Sequence, residues 1–111
     1  MAEPPRTELL QGTLDILILK TLVSGPLHGW AISKRIQLTS HDLLTVNQGS
    51  LYPALYRLED RGFVAGEEGH SAEGRRIKLY RLTAEGRRQL SREIEGWQRF
   101  STGMRHVLGT D

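Results

Sequence analysis

Gly49-Ser50-Leu51-Tyr52-Pro53-Ala54-Leu55-Tyr56-Arg57-Leu58-Glu59-Asp60-Arg61-Gly62 is the stretch whose reading decides the fold. Leu51, Leu55 and Leu58 recur at helical spacing and predict a short helix, residues 49–61, with one face on a core. Ser50, Tyr52, Tyr56, Arg57 and Arg61 fall largely off that stripe. They offer hydroxyls, rings and guanidinium groups to the outside, the groups that hydrogen-bond phosphates or base edges in a DNA groove. Gly62 supplies a left-handed stop. Taken alone this is an amphipathic helix with a polar exterior. Only its neighbours can make it a recognition helix.

Upstream, Leu9 to Val23 is apolar with helical period. Leu10, Leu14, Leu17, Ile18 and Leu22 form one stripe, and Ile16, Leu19 and Val23 form a second. A helix apolar on two sides usually buries both, one against its own core and the other against another subunit. Ser24-Gly25-Pro26 ends it, and residues 1–8, with Pro4-Pro5, read as a loose arm. A second helix is expected from His28 to Thr39, with Ile32 and Ile36 inward and Lys34 and Arg35 outward. After the polar link Ser40-His41-Asp42, a short strand is expected around Val46. Asn47 and Ser50 compete as the cap of the third helix, because Pro53 is best tolerated near a helix start.

Downstream of Gly62 the period changes to two. Phe63 to Glu67 and Arg76 to Leu82 read as strands, with turn residues Gly69 to Gly74 between them. Thr83 then caps a long last helix carrying Glu85 in its first turn, and residues 109–111 form a tail. Three helices, a two-stranded basic hairpin and a long helix make a winged helix-turn-helix. The fold class is mainly α with a small β-hairpin, with residues 9–82 as the winged domain and 83–108 as the terminal helix.

The net charge of +2 hides an asymmetry. Between His70 and Arg92 stand Arg75, Arg76, Lys78, Arg81, Arg87, Arg88 and Arg92 against Glu73 and Glu85, a local +5 that leaves −3 elsewhere. Such a dipole fits one face meeting a polyanion, and it fits equally a solvated surface biased to arginine. In the last helix Leu90, Ile94, Trp97, Ser101, Met104 and Leu108 follow a 4-3-4-3-4 spacing, a heptad seam interrupted by one serine. Packing of that seam within one chain competes with a homodimer built from the first and last helices. The dimer is preferred, with Leu14, Leu90, Ile94, Trp97, Met104 and Leu108 as its interface.

The 111 residues allow one small domain. The absence of cysteine removes disulfides, thiol nucleophiles and thiolate metal sites, and it fits the cytoplasm. Met1 to Arg6 carries no signal peptide or membrane span. Enzymatic chemistry finds no support. His28, His41, His70 and His106 lack metal-ligand spacing, no phosphate-binding glycine loop occurs, and nothing calls for a cofactor.

Four ordered motifs now carry a resemblance: Leu10-Gln11-Gly12-Thr13-Leu14, Gly25-Pro26-Leu27-His28-Gly29, Gly49 to Leu55, and Tyr80-Arg81-Leu82-Thr83-Ala84-Glu85-Gly86. Over roughly residues 8–108 the chain resembles the PadR family of bacterial transcriptional regulators, in its short subclass with a single C-terminal dimerisation helix. The resemblance implies a homodimer on double-stranded, palindromic operator DNA, most often as a repressor. It places Ser50, Tyr52 and Arg57 in or beside the major groove, with Tyr56 at a variable recognition position. Arg75, Arg76 and Lys78 of the wing would lie near phosphates or the minor groove. Trp30 stands where the family usually has tyrosine. Some members bind flat aromatic compounds with the help of a tryptophan on the last helix. Trp97 holds such a position here, so a small aromatic effector competes with simple seam packing for that residue. A DNA-blind interaction module and a DNA-binding activator remain the rival readings.

Overall fold

The Leu51-Leu55-Leu58 stripe meets similar stripes from the helices before it, and together they close one core. The computed structural model describes residues 12–110. Among them the order is α1 (Thr13–Thr21), a 3₁₀ turn (Leu22–Ser24), β1 (Leu27–His28), α2 (Gly29–Thr39), α3 (Gln48–Asp60), β2 (Val64–His70), β3 (Arg76–Leu82) and α4 (Ala84–Leu108). The arm expected at 1–8, Leu9, and Leu10 of the first stripe lie outside the described residues. Ile18, Leu19, Ile32, Leu51, Ala54 and Leu55 are wholly buried, and Val64, Tyr80 and Leu82 close the core from the sheet. Removing one such leucine side chain would cost about 2–5 kcal/mol.

The chain is an α+β winged helix, and the sheet departs from the expected hairpin in one respect. Three strands pair antiparallel in the order β1-β3-β2. Leu27 pairs with Tyr80 and His28 with Leu79, so the segment after Pro26 adds a short outer strand to the wing. The strand expected at Val46 is absent; Val46 is partly buried in extended coil and packs on the core. A two-residue strand has no alternation to read, and it exists because β3 passes beside it.

Helix starts follow side-chain capping. His28 Nδ1 accepts from the Ala31 amide at 3.0 Å and opens α2. Asn47 Oδ1 accepts from the Ser50 amide at 2.8 Å, so Asn47 and not Ser50 caps α3. The helix therefore begins earlier than Pro53 suggested and runs through that proline. Pro53 has no N–H for the carbonyl of exposed Gly49, which water can serve. Gly62 takes φ 79° after α3, as a left-handed stop requires.

The junction of α4 with the sheet is tight. Thr83 Oγ1 accepts from the Gly86 amide at 2.9 Å and donates to the Gly62 carbonyl at 2.7 Å. A Cβ on Gly86 would overlap the Phe63 carbonyl oxygen and lie 2.7 Å from Leu82 Cδ1. Glycine there lets the helix rest directly on the entry to β2.

Candidate nucleic-acid interface

The capped start and buried leucines of α3 determine which residues it turns outward. Ser50, Tyr52, Tyr56 and Arg61 are exposed. Tyr56 is the barest of the aromatic residues, 73% exposed. Tyr52 does two things at once. Its ring edge covers Gly29, where a Cβ would lie 2.6 Å from the hydroxyl oxygen and 2.8 Å from Cε1, while the rest of the side chain faces solvent. A glycine at the start of α2 and a tyrosine in α3 thus form one helix-helix contact across the turn.

Arg57 points elsewhere. Its guanidinium donates to Asp15 Oδ1 of α1 at 3.5 Å. Burial raises the Asp15 carboxyl above the ordinary aspartate value, and the Arg57 and Arg61 guanidiniums oppose that shift without cancelling it. In this structure Arg57 balances an acid on the neighbouring helix, a role that its place on the outward face did not suggest. Asp15 is a residue the sequence reading missed; an acid in an otherwise apolar run was its only signal.

The wing ends in a hydrogen-bonded turn. The Ser71 amide donates to the Arg75 carbonyl at 2.8 Å, the Arg75 amide to Ser71 Oγ at 3.1 Å, and the Gly74 amide to the Ser71 carbonyl at 2.9 Å. This holds Arg75 exposed at the tip, without an ion pair among the described residues. Arg76 pairs with Glu68 at 2.7 Å, with both side chains about three-quarters exposed, so the pair is readily exchanged. Lys78 turns away from the tip and pairs with Glu59 of α3 at 3.0 Å. The three expected wing contacts are thus in three different states.

The expected seam also divides. Leu14 and Leu90, expected at the interface, are buried in the chain's own core, 8% and 6% exposed. Both side chains are already packed, so neither leaves much surface for a partner. Ile94 is partly buried against the same core. Beyond it α4 carries Trp97, Met104 and Leu108 into solvent, joined by Phe100 and Val107, which the heptad reading missed. Trp97 and Phe100 lie with ring centroids 6.1 Å apart. The helix is long enough to leave the domain, and among the described residues nothing covers its outer turns.

No group of three or more histidine or acidic residues among the described residues could hold a metal ion. No described helix is long and apolar enough to cross a membrane.

Comparison with known proteins agrees with this geometry. Residues 18–92 match the model of the transcriptional regulator PadR-like family. A PadR family transcriptional regulator from Eggerthella lenta superposes with a TM-score of 0.75 at 33% identity, covering 91% of this chain and 86% of that one. A transcriptional regulator from Clostridium thermocellum gives 0.75 at 29% identity over 89% and 92% of the two chains. A transcriptional regulator of Mycobacterium tuberculosis is 29% identical over 106 residues, covering 86% of this chain and 95% of that protein. The winged helix here serves regulation and not enzymatic chemistry, and the chain belongs to the PadR-like family of transcriptional regulators.

Proposed function

We propose that two copies of this chain bind a palindromic operator in the cytoplasm and repress transcription by excluding polymerase. Each copy lays α3 in a major groove and its wing on the adjacent backbone. The observation that carries this reading is the pairing of a bare aromatic and polar face on α3 with a bare arginine at the tip of the neighbouring wing. Ser50, Tyr52 and Tyr56 supply base and sugar contacts, each good base contact contributing about 1–3 kcal/mol of discrimination. Arg75 and Arg76 supply phosphate contacts, which release counterions and make binding salt-dependent whatever the sequence. Arg57 supports α3 from behind through Asp15.

The dimer rests on the outer half of α4. Trp97, Phe100, Met104 and Leu108 are each between 44% and 64% exposed, a run that a second copy would cover. Two-fold pairing would set the recognition helices about 34 Å apart, one turn of DNA. Trp97 acts first as a packing residue of that seam. The exposed Trp97-Phe100 pair is what favours a flat aromatic effector lodging there as a second role.

Titration against DNA from upstream of its own gene, beside unrelated DNA and at two salt concentrations, tests the reading. Tight binding of a protein dimer to the upstream fragment alone is expected. Equal, salt-sensitive binding to both would move the target elsewhere. No binding at low salt would leave a winged-helix interaction module, and raised transcription on operator binding would make the protein an activator.

A further inference from the structure

Gly66 in β2 has no side chain, and two other side chains use the room. A Cβ there would fall on Cε of Lys78 and lie 2.7 Å from Oε2 of Glu59. Gly66 pairs with Tyr80 across the hairpin, and Glu68 pairs with Lys78, so all four residues share the sheet face that also carries buried Val64 and Leu82. Over that glycine Lys78 Nζ donates to Glu59 Oε1 at 3.0 Å and sits 5.3 Å from the centroid of the Tyr80 ring. Glu59 belongs to the last turn of α3, Lys78 to the middle of the wing. The contact thus ties the proposed reading helix to the proposed backbone clamp at a point where the backbone itself has made space.

We infer that Glu59 and Lys78 form a latch that sets the pitch of the wing against α3, which makes both of them positioning residues for DNA reading. This rests on the DNA-binding reading above. Lys78 is poorly suited to be a phosphate contact in its own right. To reach DNA it would give up a charged hydrogen bond and a cation–ring contact together, whereas Arg75 gives up no ion pair and Arg76 a solvent-screened one. Leverage explains why the pitch matters. From Lys78 to Arg75 is three residues, or roughly 10 Å of strand. A swing of roughly 20° at the latch would move Arg75 by about 3.5 Å, more than half the minor-groove width of about 6 Å.

Four proteins separate a latch from a phosphate contact: wild type, Glu59→Gln, Lys78→Gln, and the exchange Glu59→Lys with Lys78→Glu. Each is titrated with operator and unrelated DNA across a salt series, and its thermal midpoint is measured. A latch predicts that both single variants lose about tenfold in operator affinity. The slope of log affinity against log salt stays at the wild-type value, and the exchange restores most of the loss. A phosphate contact predicts the reverse. Glu59→Gln then tightens binding, Lys78→Gln flattens the slope by about 0.9, and the exchange binds worst of all. That pattern overturns the inference. Should wild type bind no DNA, the functional reading fails by itself. The latch is then judged on thermal midpoints, where additive losses from the two single changes, with no recovery on exchange, would overturn it.

Discussion

Arg57 of α3 reaches Asp15 of α1 at 3.5 Å, joining the helix proposed to read DNA to a helix that packs on α2, α3 and α4. The acid is buried and its carboxyl titrates above the ordinary aspartate value, because removal from water outweighs the two nearby guanidiniums. A carboxyl raised in this way favours folding on the acid side, and that contribution is lost as pH rises through its folded value. Arg57→Ala removes the hydrogen-bonded countercharge and should cost about 1–2 kcal/mol at neutral pH. The loss relative to wild type should shrink on acidification, as Asp15 takes up its proton. Thermal melts of both proteins from about pH 7 to about pH 4 check this. A loss that grew towards acid would show that Asp15 is not the group Arg57 serves.

Tyr56 offers the cleaner test of reading, since it is mostly in solvent while Tyr52 is also a packing residue against Gly29. Tyr56→Ala should leave the thermal midpoint unchanged and reduce operator affinity by about 1–3 kcal/mol. Binding to unrelated DNA should stay as it was. Equal losses on both DNAs would place Tyr56 on the backbone and not on the bases.

The wing tip should report itself through salt. Arg75→Ala combined with Arg76→Ala should flatten the dependence of log affinity on log salt by about 1 for each phosphate contact removed. Fluorescence anisotropy on one operator at several salt concentrations measures the slope. An unchanged slope would put the wing away from DNA.

Met104 and Leu108 lie on the exposed run of α4, 44% and 64% in solvent, so changing them should spare the domain core. Met104→Glu with Leu108→Glu should give monomers in analytical ultracentrifugation, with the winged domain's melt little altered. A dimer persisting at micromolar concentration would mean that the copies meet through another face.

Two glycines of α4 should respond oppositely to the same change. Gly86→Ala drives a methyl into the Phe63 carbonyl and should cost about 1–3 kcal/mol. Gly96 has nothing within 4 Å of an added Cβ, so Gly96→Ala should stabilise the helix by about 0.5–1 kcal/mol. Differential scanning calorimetry should show one midpoint falling and the other rising, at roughly 4–8 °C per kcal/mol.

Much of this arrangement is legible in the sequence because short-range rules produce it. Leu51, Leu55 and Leu58 announce a helix face, Gly62 its stop, Thr83 the start of the next helix, and all three roles are found in the structure. What stays hidden are the relations between elements. The run of cations from Arg75 onward marks a basic wing, yet nothing local says that Lys78 turns back to a carboxylate 19 residues earlier. Arg57 looks like a reader for the same reason, since a position off the apolar stripe does not reveal an acid lodged in α1. β1 escapes notice because two residues cannot show a period. Leu90 fits the heptad seam by spacing, and spacing does not tell which part of a long helix still lies on its own domain.

The bare outer turns of α4 have a consequence for how such a regulator keeps time. From Trp97 to Leu108 the helix is about as long as the shortest that hold together in water, so by itself it would fray. If two copies assemble there as proposed, they cover that run, and occupancy of an operator below the dimerisation threshold then rises with the square of the amount of protein present. Each halving of the pool, as at cell division, would lower occupancy by about fourfold, so the promoter would respond to dilution of the protein alone.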